Sequence, residues 1–503
     1  MRTDPIRGFL SIFSSNLVRL LLGIAITPIL VRVLGTANYG DYAFILSILG
    51  VSMILVNAGI TDGLRKFVAE DRDRAGWADA VYGFYVQTGT ILAGIAALGF
   101  VAANLAGVTE SLLGPVFVPY LYLLAGVIVV RQGENIVRSS LMGKGLEHLS
   151  EPLWALQKLL FGIFGISLAY VGYDVSGVVA GHLIAGAIVL VVGTYLLSFH
   201  YDIRAAFRPK RVHVPRRELL TFNAHSVMLI LLTASLYHVD IILLQWFVGS
   251  EATGLYKAAL IVAEFLWFVP FALQMVLLHS ASELWAKEET ARISEIAARV
   301  ARYTLFFTVL VATGIAALAE PFVGLYFGDE FTPAVLPLWL LLPGALGFAI
   351  ARPIFAIGQG AGMLQPLILA TAAAALLNLG LNLVLIPPYG MAGAAVATSI
   401  GYASMLGFHV VAARSIGYNP VADLRLFRVG STVSVSAVVI GGLAMATGPS
   451  LVSLVVVPPV GFVVYTVLGL RLRAVDPAEL IGLAERLPDS IRPRCIRLIQ
   501  YVG

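Results

Sequence analysis

The chain has a single cysteine, Cys495, in 503 residues. That excludes an intramolecular disulfide and any cysteine metal site. Charge is scarce too: Asp, Glu, Lys and Arg make up 12% of the sequence, against about 25% in soluble proteins. Lysine is the rarest of them, 6 against 27 arginines, a bias that suits a high-GC genome, bacterial or archaeal. No GxGxxG, Walker or GxSxG pattern stands out, which excludes a self-contained ATP-driven pump. His182, His225, His238, His279 and His409 are scattered without the HExxH spacing of a zinc site and read as packing residues. No stretch between the apolar runs is large enough to fold alone, so a soluble catalytic domain is missing as well.

What is present is apolar sequence, 59% of the residues with a mean hydropathy of +0.90. Crossing a bilayer takes about 20 such residues. Fourteen runs qualify: 9–33, 42–61, 77–104, 116–142, 152–172, 176–199, 219–247, 255–280, 299–319, 334–357, 366–386, 391–413, 428–447 and 451–470. The expectation is an all-α polytopic membrane protein. Met1 to Arg7 leads into a full-length run with no small-residue cleavage site and is expected to open the first transmembrane helix.

The basic residues fix the orientation. With the N-terminus in the cytoplasm, 26 Lys and Arg fall in cytoplasmic segments, against Arg32 and Lys257 on the outer side. The positive-inside rule then places both termini in the cytoplasm of a multi-pass plasma-membrane protein. The pI near 9.0 is a topology signal, not a nucleic-acid signal.

The first twelve spans divide into two groups of six. Gly35, Gly40 and Tyr42 after span 1 are echoed, at one constant offset, by Gly249, Gly254 and Tyr256 after span 7. Tyr173 and Gly177 are echoed by Tyr389 and Gly393 at almost the same offset. Two near-equal offsets predict a pair of six-helix lobes related by pseudo-symmetry. The expected division is an N-terminal lobe at 1–200, a basic linker at 201–217, a C-terminal lobe at 218–415, two added spans at 416–470 and an amphipathic cytoplasmic tail at 471–503. The tail opens with Asp476, Pro477 and Glu479, a capped helix start.

Ionisable residues within spans are costly and default to functional candidates. Arg19 lies in span 1. Arg131, Glu134 and Arg138 share one face of span 4, Lys158 lies in span 5, and Arg352 lies in span 10. Five cations against one carboxylate suit an anionic substrate, and arginine suits phosphate in particular. Asn378 and Asn382, one turn apart in span 11, either join helices or line the cavity and meet a sugar. Asp240 and Glu264, at similar depths in spans 7 and 8, either bind a coupling Na+ or H+ or pair with Lys257. No other cofactor is expected.

Arg32-Val33-Leu34-Gly35, with Tyr39, Gly40 and Tyr42, resembles the opening motif of the oligosaccharide flippases, also called polysaccharide biosynthesis proteins. Gly59 with Leu64, Arg65 and Phe67 is similar to that family's second-span exit, and Asp240 with Gly254 and Tyr256 to its span 7–8 pattern. Asn378, Asn382, Ile386-Pro387, Tyr389-Gly390 and Gly393-Ala394-Ala395 resemble its span 11–12 segment. The resemblance implies the multidrug/oligosaccharidyl-lipid/polysaccharide transporter fold. It also implies export of a saccharide on undecaprenyl or dolichol phosphate or pyrophosphate, supplied to a glycan polymerase, ligase or oligosaccharyltransferase. Two rivals stay open: a cation-coupled drug or metabolite extruder of the same superfamily, and a membrane glycosyltransferase or polymerase.

Overall fold

A computed structural model describes residues 5–70, 76–206, 215–485 and 492–502. Residues 207–214 of the basic linker lie outside the described residues. Among them the chain is helical, without a strand. That follows from the solvent: in hydrocarbon every backbone N–H and C=O must find its partner within the chain, and a helix pairs them locally. Leu98, Ile91 and Val438 stay more than half exposed, as lipid-facing residues do.

The chain separates into two compact units, Met1–Gly254 and Leu255–Gly503. The first holds α1 (Pro5–Asn57), α2 (Ile60–Ala69), α3 (Trp77–Leu105), α4 (Val108–Leu113), α5 (Phe117–Gly143), α6 (Glu147–Leu168), α7 (Asp174–Ser198) and α8 (Arg216–Phe247). The helix α9 (Ser250–Glu264) runs across the division. The second unit continues with α10 (Phe268–Ala286), α11 (Thr290–Ala317), α12 (Ala319–Phe327), α13 (Val335–Gly360) and α14 (Leu364–Ile416). It ends with α15 (Leu426–Thr447), α16 (Leu451–Arg471), α17 (Pro477–Ala484) and α18 (Arg492–Val502).

Among the described residues ten helical stretches are long and apolar enough to cross a membrane. Three of them, at 52 or 53 residues, are far longer than one crossing needs. Each of these bends at a glycine: Gly35 in α1, Gly172 between α6 and α7, and Gly390 in α14. α5 has the length, 27 residues, but is diluted by Arg131, Gln132 and Glu134. The architecture is consistent with the fourteen expected spans.

Both sequence echoes reappear as backbone geometry. Gly35 (φ 71°) and Gly249 (φ 109°) each leave the right-handed region where a span ends. Asp174 (φ 42°, ψ −129°) and Gly390 (φ 56°, ψ −134°) are separated by the same offset as Tyr173 and Tyr389, and their dihedral angles nearly coincide.

The first unit's core gathers α2, α3, α5, α6 and α7 around Phe67, Trp77, Tyr85 and Leu141. Trp77 Nε1 donates to the Phe67 carbonyl at 2.7 Å, which docks the amphipathic α2. In the second unit α13 is the central helix, and Trp267, Trp285 and Tyr418 each donate to one of its carbonyls.

One basic residue counted with the cytoplasmic segments is not a surface residue. Arg302 is fully buried near the middle of α11, where it donates to Asp423 and Glu479. Tyr303 also donates to Glu479, and Arg299 Nε lies 3.4 Å from the same carboxylate. These contacts fasten α17 to α11.

Candidate functional site

The first unit assembles four of the expected cations from three helices. On α5, Arg131 and Glu134 stand three residues apart, which places them on one face, and their side chains form an ion pair at 3.3 Å. Glu134 is buried while Arg131 keeps a quarter of its surface exposed. The second carboxylate oxygen, Oε1 of Glu134, is buried without a hydrogen-bond partner. Gly186 on α7 packs closely on α5: a Cβ there would fall 2.7 Å from Val130 Cγ1, with that oxygen at an ordinary contact distance of 3.4 Å.

Arg138 does not share Glu134. It turns to α6, where Nη2 lies 3.5 Å from Glu151 and Nε donates to the Ser150 carbonyl at 3.5 Å. Its third nitrogen, Nη1, has no partner among the described residues. Ser150 Oγ in turn donates to the Arg138 carbonyl, locking α6 to the end of α5.

Trp154 is the centre of the arrangement. The Arg19 guanidinium lies 3.3 Å from its ring centroid, and that of Arg138 lies 4.2 Å from it. Cation–π contact of this kind strengthens when water is excluded. Trp154 keeps 38% of its surface exposed, so the ring is reachable. One turn on, Lys158 has no ion-pair or hydrogen-bond partner among the described residues, only the Phe161 ring at 5.5 Å. His182 from α7 stacks on that same ring at 3.8 Å, and its Nε2 is hydrogen-bonded to the Tyr42 hydroxyl at 2.9 Å. Among the described residues the site holds Arg19, Arg131, Arg138 and Lys158 with Glu134 and Glu151, and Arg65 lies within electrostatic reach of Arg138, so cations outnumber carboxylates in spans expected to lie in the membrane.

Glu151, Trp154, His182 and Tyr42 were not singled out from the sequence as site residues. A signal existed for the first two. Glu151, Trp154 and Lys158 fall at helical spacings of three and four, so one face of α6 carries an acid, an aromatic ring and a base.

The other candidates lie elsewhere. Arg352 is buried in the second unit between the Phe271 and Phe348 rings, 4.4 and 4.2 Å away. Asn378 ties the two halves of α14: its Nδ2 reaches the Ala397 carbonyl and Thr398 Oγ1, both at 3.4 Å, across the bend. Asn382 Nδ2 donates to the Asn378 carbonyl at 3.0 Å, and the Oδ1 atoms of both are buried without a hydrogen-bond partner. Asp240 is fully buried in the first unit and accepts from the Ile241 N–H at 2.8 Å. Glu264 closes α9 in the second unit, half-buried.

A family model described as polysaccharide biosynthesis protein matches residues 6–272, more than half of the chain. The chain belongs to that family. Its region of match contains every residue of the cationic site. A probable low-salt glycan biosynthesis flippase of Haloferax volcanii is 21% identical over 405 residues, covering 80% of this chain and 81% of that protein. Among solved structures, lipid II flippase MurJ in an inward closed conformation superposes with a TM-score of 0.72 at 15% identity, over 92% of this chain and 98% of that one. An inward-facing multidrug resistance MATE transporter of the MOP superfamily gives a TM-score of 0.66 at 15% identity, over 80% and 98%. The fold is thus that of the multidrug/oligosaccharidyl-lipid/polysaccharide superfamily. The chain is a multi-pass membrane protein with that fold.

Proposed function

We propose that the chain flips a saccharide linked to a polyprenyl phosphate or pyrophosphate from the cytoplasmic to the outer leaflet by alternating access. The observation that carries this reading is the cationic cluster around Trp154. An excess of positive charge inside a membrane protein is costly to hold empty, and an anionic headgroup removes that cost. Arginine forks match phosphoryl oxygens two at a time, and the partly exposed Trp154 side chain offers a sugar an apolar surface beside them. The glycan-flippase relative supports the same substrate class. Both termini would then face the cytoplasm, a placement that the distribution of basic residues supports. Arg352, Asn378 and Asn382 are candidates for later contacts with the sugar. Asp240 and Glu264 are candidates for a coupling Na+ or H+.

The test is a leaflet assay in proteoliposomes with a polyprenyl-linked oligosaccharide, comparing wild type with Arg19→Ala and Lys158→Met. Protein-dependent appearance of the sugar on the opposite leaflet, lost in both variants, supports the reading. A well-folded wild type that moves neither monophosphate nor pyrophosphate carriers, but does move small organic cations, rejects it in favour of an extruder.

A further inference from the structure

The cationic site has an approach as well as a core. The short amphipathic helix α2 buries Gly63, Leu64, Phe67 and Val68 and leaves Arg65 exposed. It is docked against the end of α5 that is expected to face the cytoplasm. A Cβ on Gly143 would fall 2.9 Å from Val68 Cβ and 3.0 Å from the Leu64 carbonyl oxygen, so the two helices meet closely there. Arg138 precedes Gly143 by five residues and is held at the same end by Ser150 and Glu151 of α6. Arg65, next to Leu64, therefore stands at the rim above Arg138, and its charge bears on Arg138 more strongly than that of Arg19 does.

A second cation beside a largely buried arginine raises the energy of the empty protein, because like charges repel. Among the described residues Arg65 has no ion pair of its own. Asp62, three residues earlier on the same face of α2, acts on it only through its charge. An exposed cation is screened by water and salt and adds little to the affinity of a bound ligand. What it does shape is the field that an approaching anion meets. Further in, Lys158 lies within electrostatic reach of Arg19 and Arg131. Arg131 is two turns of α5, roughly 10 Å, deeper than Arg138. The positive charges thus form a series that begins at the surface with Arg65 and ends inside with Lys158 and Arg131.

We propose that Arg65 is the entry residue of this site: it captures the anionic phosphate or diphosphate headgroup at the exposed end of α2 and passes it to Arg138. This rests on the flippase reading and deepens it. Asp62 sets the strength of capture. A carboxylate on the same face lowers the field at the rim, which attracts the headgroup without retaining it there.

Association and dissociation rates would be measured on the full-length protein in nanodiscs of zwitterionic lipid, so that no anionic bilayer lipid competes. The probe is a short-chain isoprenyl diphosphate carrying one fluorescently labelled sugar, added from water at low and at high salt. In Arg65→Gln the association rate at low salt is expected to fall about three- to tenfold, with dissociation changed by less than about twofold, the pattern of a lost rim charge. The rate should also depend less steeply on salt than in wild type. Arg65→Lys keeps the charge and restores the rate. Asp62→Asn removes the opposing charge and raises it about two- to threefold. Arg138→Gln instead speeds dissociation, as the loss of a buried contact does.

An association rate unchanged in Arg65→Gln overturns the proposal and leaves Arg65 as a topology anchor. A change confined to dissociation overturns it too, because Arg65 would then hold the bound ligand. So does an Arg65→Lys variant as slow as Arg65→Gln, since charge would not be the cause. A folded wild type that binds no isoprenyl diphosphate at either salt concentration brings down the flippase reading itself, an outcome separate from the other three.

Discussion

Gly40 and Gly254 meet backbone to backbone within the first unit. A Cβ on Gly40 would fall 1.8 Å from the Ser250 carbonyl oxygen and 2.8 Å from the Gly254 nitrogen. A Cβ on Gly254 would fall 2.0 Å from the Thr36 carbonyl oxygen and 3.0 Å from the Gly40 nitrogen. The two glycines are the equivalent positions of the sequence repeat, and each is spared a side chain because the other's backbone occupies the space. Hydrogen bonds hold the crossing from beside it: Asp41 Oδ1 accepts from Ser250 Oγ at 2.5 Å and from Gln245 Nε2 at 3.2 Å.

Alanine at either glycine therefore forces two backbones apart. Gly40→Ala and Gly254→Ala are each expected to lower stability by roughly 2–3 kcal/mol, at the upper end of overpacking costs. Thermal unfolding in detergent reads the effect. Gly23→Ala is the control, since a Cβ there meets nothing within 4 Å and alanine favours a helix. Equal melting of all three variants would show that the crossing is not tight.

A second prediction comes from Asp174 and Gly390. Their shared dihedrals lie where a type II′ turn places its first central residue, usually glycine. The first unit puts an aspartate there, at a cost of about 1–3 kcal/mol. Asp174→Gly is expected to raise stability by roughly 1 kcal/mol, and Gly390→Ala to lower it by at least as much. Opposite shifts in melting temperature are the outcome to look for; shifts of one sign would mean that the two bends are not equivalent.

Much of this was legible in the sequence for a physical reason. Span lengths are dictated by bilayer thickness, and bends by residues able to take positive φ, so both leave marks on the chain itself. The repeat was visible because backbone contact and positive φ admit little but glycine. Partner choice across helices left no such mark. Spacing put Arg131, Glu134 and Arg138 on one face of α5, yet Arg138 pairs with Glu151 on α6, which helical spacing within α5 cannot reveal. Trp154 looked like one more apolar residue, because its role depends on Arg19 arriving from α1. Arg302 counted as one more basic residue, and its burial depends on α17 folding back over it with a glutamate 177 residues further along the chain.

Lys158 should show opposed effects on stability and function. Among the described residues its ammonium has no carboxylate partner, only the Phe161 ring at 5.5 Å, and the charges of Arg131 and Arg19 act on it. Lys158→Met keeps much of the side chain's length and removes the charge, so stability is expected to rise by roughly 1–2 kcal/mol. Headgroup affinity and translocation should fall about tenfold or more, as one cation of the surplus is gone. Melting temperature and the leaflet assay are measured on the same preparation. A loss of stability in Lys158→Met would place a partner beside the ammonium and take it out of the ligand site.

The contact of α17 with α11 supplies a pH-dependent prediction. Burial alone would raise the Glu479 carboxyl, but hydrogen bonds from Tyr303 and Arg302 and the charges of Arg302 and Arg299 outweigh it and hold the group below its ordinary value of 4.5. A carboxyl depressed in the folded state contributes stability above its unfolded value and loses it as pH falls through the folded one. The fastening of α17 is therefore complete at neutral pH and weakens only as the medium drops below about 4.5. Glu479→Gln removes the charge at every pH, leaving Asp423 as the carboxylate the structure places on the buried Arg302. Hydrogen exchange across Pro477–Ala484 should then be fast in the variant at pH 7 and slow in wild type, converging in acid. Equal protection of the segment in both proteins at pH 7 would mean that apolar packing, and not this carboxylate, holds the helix in place.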